Sequence, residues 1–438
     1  MLQAIDLLIE ARWIIPIEPV GIVLENHALA IKQGVIIALL EQNEARQRYL
    51  AQETIHLTEH VLLPGLINLH GHAAMSLMRG LADDIPLMTW LQKHIWPAEN
   101  KHVSPSFVRD GTLLAAAELL RGGVTCLNDM YFFPEVAIES TQRLGLRLAV
   151  GLAVLEFPTA YARDADDYLE KGLALHERHY ATPLLSFCLA PHAPYTVSNT
   201  SFERIATLSA QMGVPIHLHL HETLDEIAGS LKEHGLRPIA RLEKLGLLSS
   251  NLIAVHSVHL DENDIEHLAH YACHIAHCPV SNLKLASGIA PITAAHKKGI
   301  NIGLGTDSAA SNNRLDLWGE MRIAALLAKG QSGDATSINA HQALAMATIN
   351  GAKALGMEDK IGSLRPGKAA DLVAIRLDTP ELSPCFDIAS HLVYCAGREH
   401  VSDVWVQGKA RVAHGKLCGI DTQELRRIAL SWQNRLAN

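Results

Sequence analysis

No stretch of the chain approaches the run of about 20 apolar residues that crosses a bilayer. The N-terminus carries Asp6, Glu10 and Arg12 among its apolar residues, which is unlike a secretory leader. There is no C-x-x-C. The seven cysteines (Cys126, Cys188, Cys273, Cys278, Cys385, Cys395 and Cys418) are odd in number and scattered, the usage of free thiols in a reducing compartment. Nor is there an excess of basic charge. The 37 Lys and Arg face 46 Asp and Glu, and a formal charge of -9 argues against nucleic acid or an anionic membrane as partner. A cytoplasmic location is expected.

What the chain has in quantity is histidine, 25 against 30 glycines. Imidazole is the commonest metal ligand and shuttles protons near neutral pH. Hydrophobic residues at 48% with 19% charged residues are the mix of a globular protein with a large core. The length of 438 residues would ordinarily imply about three domains. One barrel of roughly 250 residues with an attachment fits equally well.

Residues 1–60 read as short strands, with turns at Glu25-Asn26 and Gln33-Gly34. From Leu62 the pattern becomes strands alternating with helical segments. The opening strand ends in PGLINLHGH (Pro64–His72). After it come Gly123–Asp129, Leu146–Val154, Leu184–His192, Val214–Glu222, Leu252–Leu260, Cys273–Asn282 and Ile300–Asp307. Amphipathic stretches such as Phe107–Arg121, Phe202–Met212 and Asp264–His270 lie between them. Near-continuous apolar strands joined by helices make a parallel sheet covered on both faces. Eight such units in about 250 residues make an α/β fold of the (β/α)8 barrel type. Ala369–Ile375 and Val401–Val412 return to strand periodicity and would pair with the first 60 residues. The expected organisation is a barrel over 62–364 and a small β-sandwich built from 1–61 and 365–438, with Pro366-Gly367 near the junction.

Polar residues gather where these strands end: His70, His72, Asn128, Asp129, His192, Glu222, His256, Asn282 and Asp307. In this fold that rim carries the chemistry. His70 and His72 are two apart on an extended backbone, so both face one way with about 6.6 Å of rise between them. Two imidazoles so placed can share a metal ion, although an isolated H-x-H is more often incidental. His217, His219 and His221 also share a face, but the outer two are about 13 Å apart in rise and cannot hold one ion together. The residues alone leave His219 or His221, nearer the rim, as the ligand, and make His217 a core histidine one layer down. Glu222 follows at once, placed for a general base beside a metal site. Asp307, in GLGTDS, comes after two glycines that let the backbone turn tightly. A lone aspartate there is more often a helix cap. As a fourth ligand it would complete a His3Asp site with one position open for water, the arrangement of a catalytic metal. His256 by itself would be a satisfied core histidine; within this set it could orient the attacking oxygen or polarise substrate. The fourth strand end, CLAPHAPY, offers no lysine to bridge two metals. A mononuclear site is expected, with His192 free for substrate.

This pattern resembles the amidohydrolase superfamily, through His70-x-His72, His219 and Glu222 in H-x-x-E spacing, His256 and Asp307. KIGSLRPGKAADLVAI (Lys360–Ile375) looks like that family's re-entry into its β-sandwich, and the likeness covers essentially the whole chain. The H-x-x-E spacing implies His219 as the ligand. His221 departs from the family's usual apolar or aromatic residue and is expected to line the pocket. Pro64–Glu99, APHAPYTVS and HCPVSNLKLASGIAP are similar to the 5'-methylthioadenosine/S-adenosylhomocysteine deaminases.

The resemblance implies a metal set of His70, His72, His219 and Asp307. One divalent ion is implied, zinc for this N/O donor set, with iron(II) as the alternative. It implies Glu99 at the ribose hydroxyls, His192 against the purine nucleoside, and Arg147 or Arg163 at the homocysteine carboxylate. The implied reaction is hydrolytic deamination at C6 of the adenine ring of methylthioadenosine, S-adenosylhomocysteine or adenosine. Glu222, His256 and Asp307 would act on water and substrate. A guanine deaminase or triazine hydrolase on the same scaffold is the competing expectation. A non-catalytic scaffold is disfavoured, because such proteins usually lose ligands and here all four accompany the base. Whether the chain forms a homo-oligomer is left open.

Overall fold

The computed structural model describes residues 2–437. Its centre is a set of eight parallel strands: β5 (Leu66–Gly71), β6 (Val124–Tyr131), β7 (Arg147–Val154), β8 (Leu185–Pro191), β9 (Ile216–Leu220), β10 (Leu252–His256), β11 (His274–His277) and β12 (Asn301–Leu304). Every β6 and β7 residue is buried, as strands covered on both faces must be. Between them run helices such as 105–121, which starts at Ser104. That serine's hydroxyl accepts from the N–H of Phe107, and Pro105 occupies the first turn.

β12 and β5 close the barrel. The Asp307 N–H donates to the carbonyl of His70 at 3.0 Å, and the Asn68 side chain bonds the Thr306 N–H and hydroxyl at 2.9 and 2.8 Å. Gly303 and Gly305 make this seam fit. A Cβ on Gly303 would come within 2.7 Å of Leu69, and one on Gly305 within 2.8 Å of the His70 Cβ. Neither glycine has a positive φ; the left-handed residue is Asp307 itself, at φ 59°. These glycines therefore serve the close approach of two strands, and the expected role in turning the chain passes to Asp307.

The late strands are shorter than their apolar runs. β9 stops at Leu220 because His221 takes φ 56°, and β10 stops at His256, where φ is 70° and Ser257 follows at 51°. β11 stops at His277 because Pro279 opens a short helix, 279–284. In each case a local backbone feature, a positive φ or a proline, ends the strand.

The remaining strands are β1 (Gln3–Ile14), β2 (Leu24–Lys32), β3 (Val35–Glu41), β4 (Tyr49–Pro64), β13 (Leu372–Arg376), β14 (Val401–Val406), β15 (Lys409–Ala413) and β16 (Lys416–Leu417). They form one sheet from both ends of the chain, with β4 pairing β1 in parallel and β13 antiparallel. A bridge from Val35 to Ala369 brings its β3 edge back to the segment before β13. Leu7, Ile9, Leu29 and Ile31 thereby share a core with Leu372, Ala374 and Trp405. The chain passes from this sheet into the barrel at Gly65, where a Cβ would lie 2.1 Å from the Thr125 hydroxyl.

Arg147 begins β7 and so sits at the end of the barrel opposite the mouth. Its guanidinium makes a two-pronged bond to Asp371, 2.9 and 3.1 Å, with both side chains buried. Asp371 also accepts from the Gln407 N–H at 2.8 Å. This corrects the expected carboxylate-binding role: Arg147 ties the barrel floor to the terminal sheet.

Candidate active site

The polar residues of the mouth stand at or just beyond the C-terminal ends of barrel strands. His70 is the penultimate residue of β5, and His72 follows the strand directly. His219 is penultimate in β9, His256 closes β10, and Asp307 stands three residues beyond β12. Alternation points His70 and His72 the same way. The Nε2 of His70 and the Nε2 of His72 lie 3.2 and 3.3 Å from Oδ1 of Asp307, and the Nε2 atoms of His72 and His219 are 3.3 Å apart.

The hydrogen bonds around these rings decide what such closeness means. Nδ1 of His72 lies 2.6 Å from the carbonyl of Met130, and Nδ1 of His219 lies 2.7 Å from the carbonyl of His192. A carbonyl only accepts, so both Nδ1 atoms carry hydrogen and, in the neutral rings, both Nε2 atoms present lone pairs. Nδ1 of His70 has His217 Nε2 at 3.0 Å as its partner, which leaves Nε2 for the mouth. Oδ2 of Asp307 accepts from Ser281 and Ser311 at 2.6 and 2.8 Å, which leaves Oδ1. With the rings neutral and hydrogen on Nδ1, four acceptor atoms crowd this corner of the mouth; without a metal a ring proton bridges to Asp307, and a cation among the four replaces it. Hydrogen-bonded outer partners that fix each ligand's orientation are the usual surroundings of a metal. The donor set therefore fits one divalent ion held by His70, His72, His219 and Asp307.

Electrostatics agree. Burial lowers the pKa of His70 to about 4 and that of His219 well below its usual range, keeping both rings neutral. Burial works the same way on His72, but the adjacent Asp307 carboxylate outweighs it and raises that pKa; this is a proton a metal ion displaces. Burial alone would raise Asp307, yet its bonds from His70 and His72 hold it well below the carboxylate range.

Beside this cluster, Oε2 of Glu222 lies 3.8 Å from Nε2 of His256, whose Nδ1 is held by Asn282 Oδ1 at 2.8 Å. Burial raises the Glu222 pKa, the direction a proton-transfer group needs. The turn that aims Glu222 is itself pinned. Glu226 accepts the N–H of His221 at 2.9 Å and that of Glu222 at 2.8 Å.

His72, His219, Glu222, His256 and Asp307 form one end of a cleft of about 490 Å³, and Glu99 and His192 line the same cleft. Glu99 accepts from the Tyr131 hydroxyl at 2.7 Å, and burial raises its pKa. Nδ1 of His192 pairs with the Thr196 hydroxyl at 3.1 Å.

Two expected participants are elsewhere. Arg163 lies on the loop after β7, but its side chain is 81% exposed against Asp167 and does not line the cleft. His221 does not line it either: its ring is buried, with Nδ1 3.2 Å from the carbonyl of His259 and 3.4 Å from Asp264. Sequence reasoning passed over Tyr131, Ser281, Ser311 and Glu226. Two of these carried a usable signal. Tyr131 is the last residue of β6, and Thr223-x-x-Glu226 has the spacing of a helix-start capping box.

The amidohydrolase family model matches residues 61–411, the barrel and its re-entry into the terminal sheet. The chain belongs to the amidohydrolase family. It is 45% identical over 431 residues to a 5-methylthioadenosine/S-adenosylhomocysteine deaminase from Saccharophagus degradans, covering 98% of this chain and 97% of that one. Among solved structures, an adenosine deaminase from Xanthomonas campestris with bound zinc superposes with a TM-score of 0.99. That match has 46% identity and covers 100% of both chains. An atrazine chlorohydrolase from Arthrobacter aurescens, complexed with zinc, superposes with a TM-score of 0.91 at 25% identity, covering 97% of this chain and 99% of that one. Among the described residues of this amidohydrolase, no helix is long and apolar enough to cross a membrane.

Proposed function

We propose that this amidohydrolase is a zinc-dependent deaminase of adenine nucleosides. It adds water at C6 and releases ammonia, converting 5'-methylthioadenosine, S-adenosylhomocysteine or adenosine into the inosine derivative. The observation that carries this reading is the convergence of four acceptor atoms, from His70, His72, His219 and Asp307, at the closed end of a cleft that also holds Glu222 and His256. The deaminase and the zinc-bound adenosine deaminase that resemble the chain over nearly its full length support it.

When bound, the zinc ion supplies Lewis acidity that brings the pKa of a water from about 15.7 to about 7. The chain's own residues do the rest. Glu222 takes the proton of the attacking water and delivers it to N1 of the purine. His256, its Nδ1 fixed by Asn282, steadies the attacking oxygen through Nε2. Asp307 takes the remaining proton of the added hydroxyl and passes it to the departing amine, which leaves as ammonia, while Ser281 and Ser311 hold its other oxygen. Glu99, oriented by Tyr131, accepts from the ribose hydroxyls, and His192 contacts the nucleoside.

A triazine or guanine hydrolase on the same scaffold would share the metal end but have no use for Glu99. The enzyme acts on a small molecule in the cytoplasm, without nucleic acid or membrane. The test is Glu222→Gln. It should keep metal content and fold and lose about 10²–10⁴-fold in turnover. Wild-type turnover in that variant contradicts the assignment.

A further inference from the structure

A nucleoside reacting at C6 places its purine at the metal end, so its 5' substituent, on the far side of the ribose, extends toward the mouth of the cleft. The mouth has a definite chemistry. The segment 87–96 contributes Leu87, Trp90, Leu91 and Ile95 to the lining, and the loop after β7 contributes Phe157 and Pro158. Phe157 remains 44% exposed, a large apolar ring left uncovered at the cleft. The charged residues of the lining are Glu99, Glu222 and Asp307; among the described residues that line it, none is lysine or arginine.

Of the cations nearest in sequence to the lining, Lys93 and Lys101 are exposed and lie outside it, and the others are engaged elsewhere. Arg147 is bound to Asp371 at the barrel floor. Arg163 turns to solvent against Asp167, and Lys171 holds the Tyr161 carbonyl at 2.6 Å and Asp167 at 3.0 Å. Lys284, next to the lining residue Leu285, is bound to Asp83 at 2.7 Å. A homocysteine carboxylate entering this mouth would lose water against largely apolar walls, among which Asn100, Thr159 and Tyr195 are the neutral polar lining, without gaining a charged partner, which is costly. An uncharged thioether loses nothing polar there and buries apolar surface.

We infer that the cleft selects adenine nucleosides with an uncharged 5' substituent, and that methylthioadenosine is strongly preferred to S-adenosylhomocysteine. This rests on the deaminase reading above and narrows it. The exclusion arises from the mouth's lack of a cationic anchor and not from its size.

The test uses the wild-type, zinc-loaded enzyme. Its kcat/KM is measured for adenosine, methylthioadenosine, S-adenosylhomocysteine and a 5'-alkylthioadenosine with an uncharged chain as long as homocysteine. The expected result is that both neutral thioethers are good substrates and S-adenosylhomocysteine falls at least about tenfold below the neutral one of equal length. If S-adenosylhomocysteine lies within about threefold of that analogue, or the long neutral analogue is as poor as S-adenosylhomocysteine, the inference is overturned while the deaminase reading stands. If no adenine nucleoside is deaminated, the deaminase reading itself has failed and the inference goes with it.

Discussion

The backbone of Asp307 donates to the carbonyl of His70 across the seam between the last and first barrel strands, and the side chains of the same two residues meet 3.2 Å apart at the mouth. Closing the barrel and assembling half of the metal set are thus one event. Asp307 can do both because Ser281 and Ser311 fix its second oxygen. Removing one of those hydroxyls, as in Ser281→Ala, should weaken metal retention by about 10–100-fold and leave the fold intact. Competition against a chelator, read by metal analysis beside a circular dichroism spectrum, checks this; unchanged retention would show that the serines do not tune the ligand.

Glu226 sets the turn on which Glu222 stands, through two backbone N–H groups. In Glu226→Gln the amide nitrogen must face one of those donors. We expect kcat to drop by about tenfold or more, because a small displacement of a proton-transfer group is amplified in rate. KM and zinc content should hardly change. Equal losses in kcat and zinc content would mean that Glu226 supports the whole site and not the base.

Glu99 must be ionised to accept two ribose hydroxyls, and burial raises its pKa above the ordinary carboxylate value. Protonation therefore begins at a higher pH than for an exposed glutamate. On lowering the pH, KM for nucleoside should rise before any acid unfolding. In Glu99→Gln, KM should be raised at neutral pH and lack that acid limb. Steady-state kinetics across mildly acidic pH decides it. A wild-type KM and pH profile in Glu99→Gln would remove Glu99 from ribose binding and reopen the triazine and guanine alternatives.

The buried Arg147–Asp371 pair joins the two halves of the fold, far from the chemistry. Arg147→Met should lower unfolding free energy by about 3–5 kcal/mol, because Asp371 is left buried without its counter-charge. The ratio of kcat/KM between methylthioadenosine and S-adenosylhomocysteine should not move. Denaturant melts and the two rates check both statements. A selective loss on S-adenosylhomocysteine would restore Arg147 to the substrate.

These cases show where residue patterns suffice. Near-continuous apolar strands alternating with helical segments expose the barrel, because such strands bury both faces and most of them end in a polar group at the mouth. His70, His72, Glu222 and Asp307 can be put at the rim for that reason, whereas the residues alone leave His219 or His221 and only the family resemblance chooses between them. The role expected of Arg147 rests on the resemblance alone, although the strand read as Leu146–Val154 already puts it at the strand's start, and only the C-terminal end faces substrate. Gly303 and Gly305 looked like turn formers, but the steric demand they meet comes from β5, more than 230 positions earlier. Ser281 and Ser311 sit on short helices beside Asp307 and act through its second oxygen, which no sequence pattern announces.

The most direct test of the central claim is a stoichiometric one on the zinc-loaded enzyme. Methylthioadenosine loss, followed by the adenine-to-hypoxanthine absorbance change, is measured together with ammonia release, before and after chelation and after zinc is restored. The account predicts one ammonia per nucleoside consumed, loss of activity on chelation and recovery with zinc. Undiminished deamination by enzyme shown to be free of metal, or zinc-loaded enzyme that leaves adenine nucleosides untouched, would contradict it.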